Sequence, residues 1–260
     1  MRRCSVPRII REIQYQSARY PSSGIGFMDD SFFSDKSWLD EFFTAIEPLR
    51  IHYCCIGRAD LLEPLEIERL AATGCHYVAL GVETGDKDRQ KKIKKFLNLD
   101  KVKRNVELLA RRKILTKCFF MLGFPDETPV EMLVTINFAV ACARLGMNEC
   151  NFFPVSIYPG TELARGLNED WFRSSVYHAF DLQNQAVEDL KPGENRGEKR
   201  LSIYAGIPDA DINQYLSRDG LLELIKLSYN KVEAREELGP DELADIVARY
   251  PSPLPPHRSS

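Results

Sequence analysis

Five apolar runs separated by segments of helical period constrain this chain more than any other feature. The runs are GIGFMD from Gly24, RIHYCCIG from Arg50, HYVALGVE from His76, ILTKCFFML from Ile114 and NECNFFPVSIY from Asn148. Several are apolar throughout rather than alternating, which is how strands read when helices cover a parallel sheet. Between them, Trp38, Leu39, Phe42, Phe43 and Ile46 fall at helical spacing. PLEIERLAATG, closed by Gly74, and PVEMLVTINFAVACARLG also read as helices, and Ser5 precedes a helix running to about Tyr20. The order helix-first predicts an α/β fold: a partial (β/α) TIM-like barrel missing its first strand, with a mostly helical carboxyl-terminal extension. Residues 1–167 form the truncated core, 168–250 an irregular and helical region, and 251–260 a disordered tail rich in proline.

Composition excludes several classes of function. A formal net charge of −3 leaves no electrostatic footprint for nucleic acid or an anionic membrane. No run of about 18 apolar residues appears, and MRRCSVPRIIREI lacks an apolar signal core, so a cytoplasmic protein is expected. The basic stretches KDRQKKIKK and LDKVKRNVELLARRK read as solvated helix faces. None of the seven cysteines forms CxxC or CxxxC, and most sit inside apolar runs. They read as small buried hydrophobes of a reducing compartment, and no metal site is expected.

Chemistry concentrates where the predicted strands end. GFMDDSFF, GVET, LGFPDET and YPGTEL each place glycine and polar residues at such an end, the arrangement by which a parallel β/α barrel builds a site. Of Asp29 and Asp30, alternation turns one toward the barrel mouth and the other toward its wall, unless one caps the following segment. Glu83 ends an otherwise apolar strand, a poor core design unless that end meets solvent or ligand. Arg58 can hold a carboxylate bidentately, or pair with Asp60 or Glu83. Gly123 and Pro125 turn the chain off the barrel, exposing backbone or simply making a tight turn.

Taken in order, FMDDSFF, the Arg58-containing R-x-D, GVET, GFPDET and YPGTEL resemble the radical S-adenosylmethionine (radical SAM) superfamily over about residues 1–167. Within it the chain is most similar to the group whose members often carry a cobalamin-binding domain. The resemblance implies that Met28, Asp29 and Asp30 contact the methionyl amino group of S-adenosylmethionine and that Arg58 helps hold its carboxylate. It also implies Glu83 near the ribose or methionyl end, Gly123 and Phe124 beside the adenine, and Tyr158 at the end of the sixth strand.

The family's CxxxCxxC loop, which holds a 4Fe-4S cluster in complete members, has no counterpart in these 260 residues. The expectation is a fragment of a radical SAM enzyme that binds S-adenosylmethionine. The cluster, an electron donor and, through a further domain, cobalamin belong to a complete form acting on an unknown small-molecule substrate. No catalytic residue and no metal ligand is assigned. The alternatives are a noncatalytic binding remnant, and an unrelated barrel hydrolase or aldolase using Asp29, Asp30 and Glu83 with a divalent metal.

Overall fold

The computed structural model describes residues 4–21, 24–29, 31–157, 160–165 and 212–254. Asp30, Tyr158 and most of the region expected to be irregular, 166–211, therefore lie outside the described residues.

Five strands, β1 Ile25–Phe27, β2 Tyr53–Arg58, β3 Cys75–Glu83, β4 Leu115–Leu122 and β5 Glu149–Pro154, form one sheet in the order β1-β2-β3-β4-β5. The pairings of β1 with β2, β2 with β3 and β3 with β4 are parallel, with Gly26 opposite Cys54, Arg58 opposite Gly81 and Glu83 opposite Phe120. Sequential parallel strands joined by helices are the α/β arrangement read from the apolar runs.

The helices are α1 Val6–Arg19, α2 Lys36–Ile46, α3 Pro64–Ala72, α4 Lys87–Lys92, α5 Leu99–Arg111, α6 Pro129–Arg144, α7 Arg218–Ala234 and α8 Pro240–Arg249. Side-chain caps start several of them, Thr128 before α6 and Ser217 before α7 among these. Asp35 accepts from the Trp38 amide at 3.0 Å, Asp86 from the Arg89 amide at 2.7 Å and Asn98 from the Lys101 amide at 3.1 Å. Ser5 precedes α1 without such a bond. Gly74 ends α3's turn at φ +94°, where a side chain would be strained and would meet the Ile51 carbonyl oxygen.

Contacts divide the chain into two units. The first comprises Met1–Phe120, Thr135–Asn151 and Val232–Glu237. Two of its strands alternate cleanly: Tyr53 and Cys55 on β2 and Thr116, Cys118 and Phe120 on β4 are buried, whereas Cys54, Ile56, Arg58, Lys117 and Phe119 are half-buried. On β3, Val78, Ala79 and Leu80 are buried in succession. One face of the sheet is thus covered by helices and the other stays partly open. The covered face centres on Phe42, which is fully buried with five aromatic rings at centroid distances of 5.2–6.0 Å. Tyr53 completes the packing by bonding its hydroxyl to that of Thr73 at 2.7 Å.

The second unit comprises Met121–Val134, Phe152–Lys231 and Leu238–Ser260. It holds α7, α8 and the turn after β4, and its described end is fastened by the Leu216–Pro251 bridge. Among the described residues no helix is long and apolar enough to cross a membrane.

Candidate functional site

The site in the first unit forms where β2 and β3 end. Arg58, opposite Gly81 across the ladder, points its guanidinium at Asp60 with two bonds of 3.2 Å and donates at 2.9 Å to the Lys95 carbonyl. Of the two pairings open to Arg58 in sequence, Asp60 is the one formed; Glu83 pairs with Lys95 instead. Gly81 makes room for that second pair. A Cβ there would come to 2.9 Å from Glu83 Oε1 and 3.0 Å from Lys95 Nζ.

Two cations and two carboxylates therefore gather around a glycine, with no net charge among the four. The Glu83 and Lys95 side chains are each 21% exposed, and those of Arg58 and Asp60 34% and 17%. A ligand that brings both a cation and an anion can exchange with these part-buried pairs without leaving a charge unpaired.

Glu83 is held in an unusual backbone conformation. Its φ is +71°, and the Thr84 amide bonds the Val82 carbonyl at 3.0 Å, two residues back. This positive-φ three-residue turn is a strained form, and it coincides with a register shift between Gly81 and Glu83 on the β4 side. The strand end is thereby bent so that the Glu83 side chain lies over Gly81.

The remaining predicted residues are placed as follows. Met28 is 74% exposed just beyond β1, and Asp29, also exposed, accepts from the Ser31 amide at 2.8 Å, as a local capping carboxylate does. Asp30 and Tyr158 lie outside the described residues. In the second unit, Gly123 adopts φ +87°, and Leu221 fills the space where its side chain would be. Phe124 is buried, and fully buried Glu127 accepts from the Gly123 amide at 2.7 Å and the Phe124 amide at 3.1 Å. Asn213 donates to the Phe124 and Glu127 carbonyls at 2.7 and 2.8 Å. Both the glycine and the glutamate of GFPDET thus have a structural explanation in this turn.

Sequence reasoning missed Lys95 and its support. KDRQKKIKK had read as a solvated face, yet Arg89 and Gln90 are 1% and 2% exposed. A glutamine among seven cations and acids carries no periodic signal for burial. An open depression of about 450 Å³ along α1, lined by Arg8, Arg11, Glu12, Tyr15 and Gln16, contains none of the strand-end residues.

The cysteines do not form a metal centre. Among the described residues no three His, Cys, Asp or Glu side chains converge to hold a metal ion. Cys55, Cys75, Cys118 and Cys142 are buried and Cys4 is exposed. Burial pushes the Cys142 and Cys150 thiols up to about 12 and the Cys55 and Cys118 thiols well above the ordinary thiol value. These residues do not fit a 4Fe-4S cluster.

A pH dependence follows. The unfolded chain ionises its thiols at about 8.5, whereas the folded chain resists, so their contribution to stability is intact below that pH. It is lost progressively as pH rises from there toward about 12, the raised value of Cys142 and Cys150. Thermal unfolding followed by circular dichroism should give a midpoint that holds steady from neutral pH and falls once the unfolded thiol value is passed. A midpoint unchanged across that alkaline range would contradict the burial of these thiols.

Residues 2–139 match the radical SAM superfamily. A protein of Pyrococcus horikoshii, named as an uncharacterized methyltransferase, is 28% identical over 161 residues, covering 61% of this chain and 34% of that protein. The chain thus spans about a third of the length of this curated relative. Among solved structures, the radical SAM methyltransferase TsrM of Kitasatospora setae, with cobalamin and a 4Fe-4S cluster bound, has a TM-score of 0.55 at 17% identity. That likeness covers 64% of this chain and 34% of TsrM. OxsB, a cobalamin-dependent S-adenosylmethionine radical enzyme, has a TM-score of 0.52 at 12% identity, covering 95% of this chain and 49% of OxsB. At such identities the structures speak for the fold. The family match covers more than half of the residues, and on that ground the chain belongs to the radical SAM superfamily.

Proposed function

We propose that this chain binds S-adenosylmethionine on the half-open face of its sheet, with the amino-acid end of the ligand at Glu83, Lys95 and Arg58. The observation that carries the reading is the balanced set of charges around Gly81. A zwitterion complements it: its ammonium replaces Lys95 at Glu83, and its carboxylate takes up the cation so released or Arg58. Met28 and Asp29 at the end of β1 remain candidates for the same end of the ligand, together with Asp30. Gly123, Phe124 and Tyr158 remain candidates for the adenosine, with the contact at Gly123 made through backbone because Leu221 occupies its side-chain space.

The division into a core over 1–167, a helical region over 168–250 and a tail belongs to this proposal. So does the assignment of cluster-dependent reductive cleavage, acting on an unidentified substrate, to a longer form of the protein that carries a CxxxCxxC loop. Methyl transfer and cobalamin enter as properties that the relatives' names suggest for such a form. An in-frame CxxxCxxC upstream of Met1 in the coding DNA supports that form, and a stop codon immediately upstream argues for a binding protein without radical chemistry.

The test is calorimetric. S-adenosylhomocysteine and methylthioadenosine share the nucleoside but differ in the amino-acid end. The 260-residue chain should bind the first more tightly, and E83Q should weaken it by about tenfold, the loss of a charged hydrogen bond. Methylthioadenosine should be indifferent to the substitution. Equal affinity of the wild type for the two nucleosides would sink the proposal.

A further inference from the structure

The strained turn at Glu83 needs something to hold it, and one buried side chain does. Gln90 on α4 is 2% exposed, and its Nε2 donates to the Val82 carbonyl at 2.8 Å and the Thr84 carbonyl at 2.7 Å. These carbonyls flank Glu83 on either side. The same residue reaches the other partner of the ion pair. Its Oε1 accepts from the Leu97 amide at 3.3 Å, and its backbone carbonyl accepts from the Lys95 and Phe96 amides at 3.0 and 3.3 Å.

Lys95 sits between Lys94 and Phe96, both at positive φ, so this loop too is away from relaxed backbone. A conformation costing of order 1–3 kcal/mol per residue persists only where its surroundings over-determine it. Two donors and one acceptor of a single buried amide, with its own carbonyl, supply that at both ends of the pair.

We infer that Gln90 is a positioning residue for ligand binding. It fixes the Glu83 carboxylate and the Lys95 ammonium at a set separation over Gly81 without touching the ligand. This role rests on the binding site proposed above. Removing the amide frees both backbones toward relaxed conformations, and the carboxylate leaves the place where an ammonium would meet it. The nucleoside end of a ligand would not register the change.

The test compares Q90M with the wild-type 260-residue chain. Calorimetry with S-adenosylhomocysteine and methylthioadenosine is read beside the circular dichroism spectrum and unfolding midpoint. For folded Q90M the expectation is about a tenfold loss toward S-adenosylhomocysteine and no change toward methylthioadenosine. Equal weakening of both would mark a merely structural residue and overturn the inference, as would no weakening of either. Where Q90M does not fold, Q90L, which removes the amide with a shorter apolar side chain, makes the same comparison.

Hydrogen exchange of the wild type supplies an independent check. S-adenosylhomocysteine, but not methylthioadenosine, should slow exchange at Thr84 and at Lys95 to Leu97, and no difference between them would overturn the inference. A wild type that binds neither nucleoside removes the site and Gln90's role together. Discrimination by the wild type with an indifferent Q90M removes Gln90's role alone.

Discussion

Phe42→Ala should lower the stability of this chain by about 3–5 kcal/mol, the range for emptying a fully buried aromatic position. Phe42 is the hub of the covered sheet face. It stacks on Trp38 at 5.2 Å and 9°, and meets Phe27, Phe32 and Tyr53 edge-on at 5.2, 5.3 and 6.0 Å. Each such pair adds about 0.5–1.5 kcal/mol beyond the area it buries, and alanine forfeits all of them at once. Its neighbours come from β1, the turn after it, α2 and β2, so no one element can move to fill the void. Against a typical total stability of about 5–15 kcal/mol, that loss is large. Phe42→Leu forfeits the same ring pairs but leaves a smaller void, so its loss should be clearly smaller than alanine's. Urea unfolding separates the two, with the transition midpoint shifting and its slope unchanged. A loss below about 1 kcal/mol for the alanine variant would show that this cluster does not carry the fold.

The strands were legible because apolar runs bounded by turn residues leave little choice. β1, β4 and β5 fall within the runs that announce them, and β2 and β3 overrun theirs by one residue each, Arg58 and Cys75. The helices were legible for a similar reason: Leu39, Phe42, Phe43 and Ile46 are the buried residues of α2, as their spacing demands. At the site the strand-end position of Glu83 was readable, but its conformation was not. A turn at φ +71° arises from a register shift on the neighbouring strand and from hydrogen bonds to Gln90, both long-range facts. Lys95 was invisible because one lysine among many in KDRQKKIKK has no distinguishing pattern, and only its loop's attachment to β3 selects it. The reverse holds at GFPDET. A motif that read as a surface for a flat ring is internally satisfied by Glu127 and Asn213, whose partners are backbone groups that no side-chain pattern reveals.

The same contrast between what a motif suggests and what its surroundings allow governs the cysteines. Anaerobic incubation of this chain with iron and sulfide, followed by desalting, should leave neither 4Fe-4S absorption nor a paramagnetic signal on reduction. A cluster is held by several thiolates around one corner of space. Cys54 and Cys55 are adjacent on β2, so alternation sends them to opposite faces of the sheet, one half-buried and one buried. Cys4 precedes α1, where its carbonyl accepts the Trp38 indole at 3.0 Å, and is the one exposed cysteine of the seven. The interior thiols face a second obstacle besides placement. With a value of about 12 at buried Cys142, the thiolate fraction near neutral pH is on the order of one in ten thousand or less, and iron would have to enter a packed interior to reach it. Half-buried Cys150 is raised as far. Cys4→Ala should therefore change nothing in the reconstituted sample. Iron and sulfide retained in stoichiometric amounts, with a reducible cluster signal, would require these sites to open and rearrange, and would overturn the reading that the cysteines of these 260 residues do not fit a cluster.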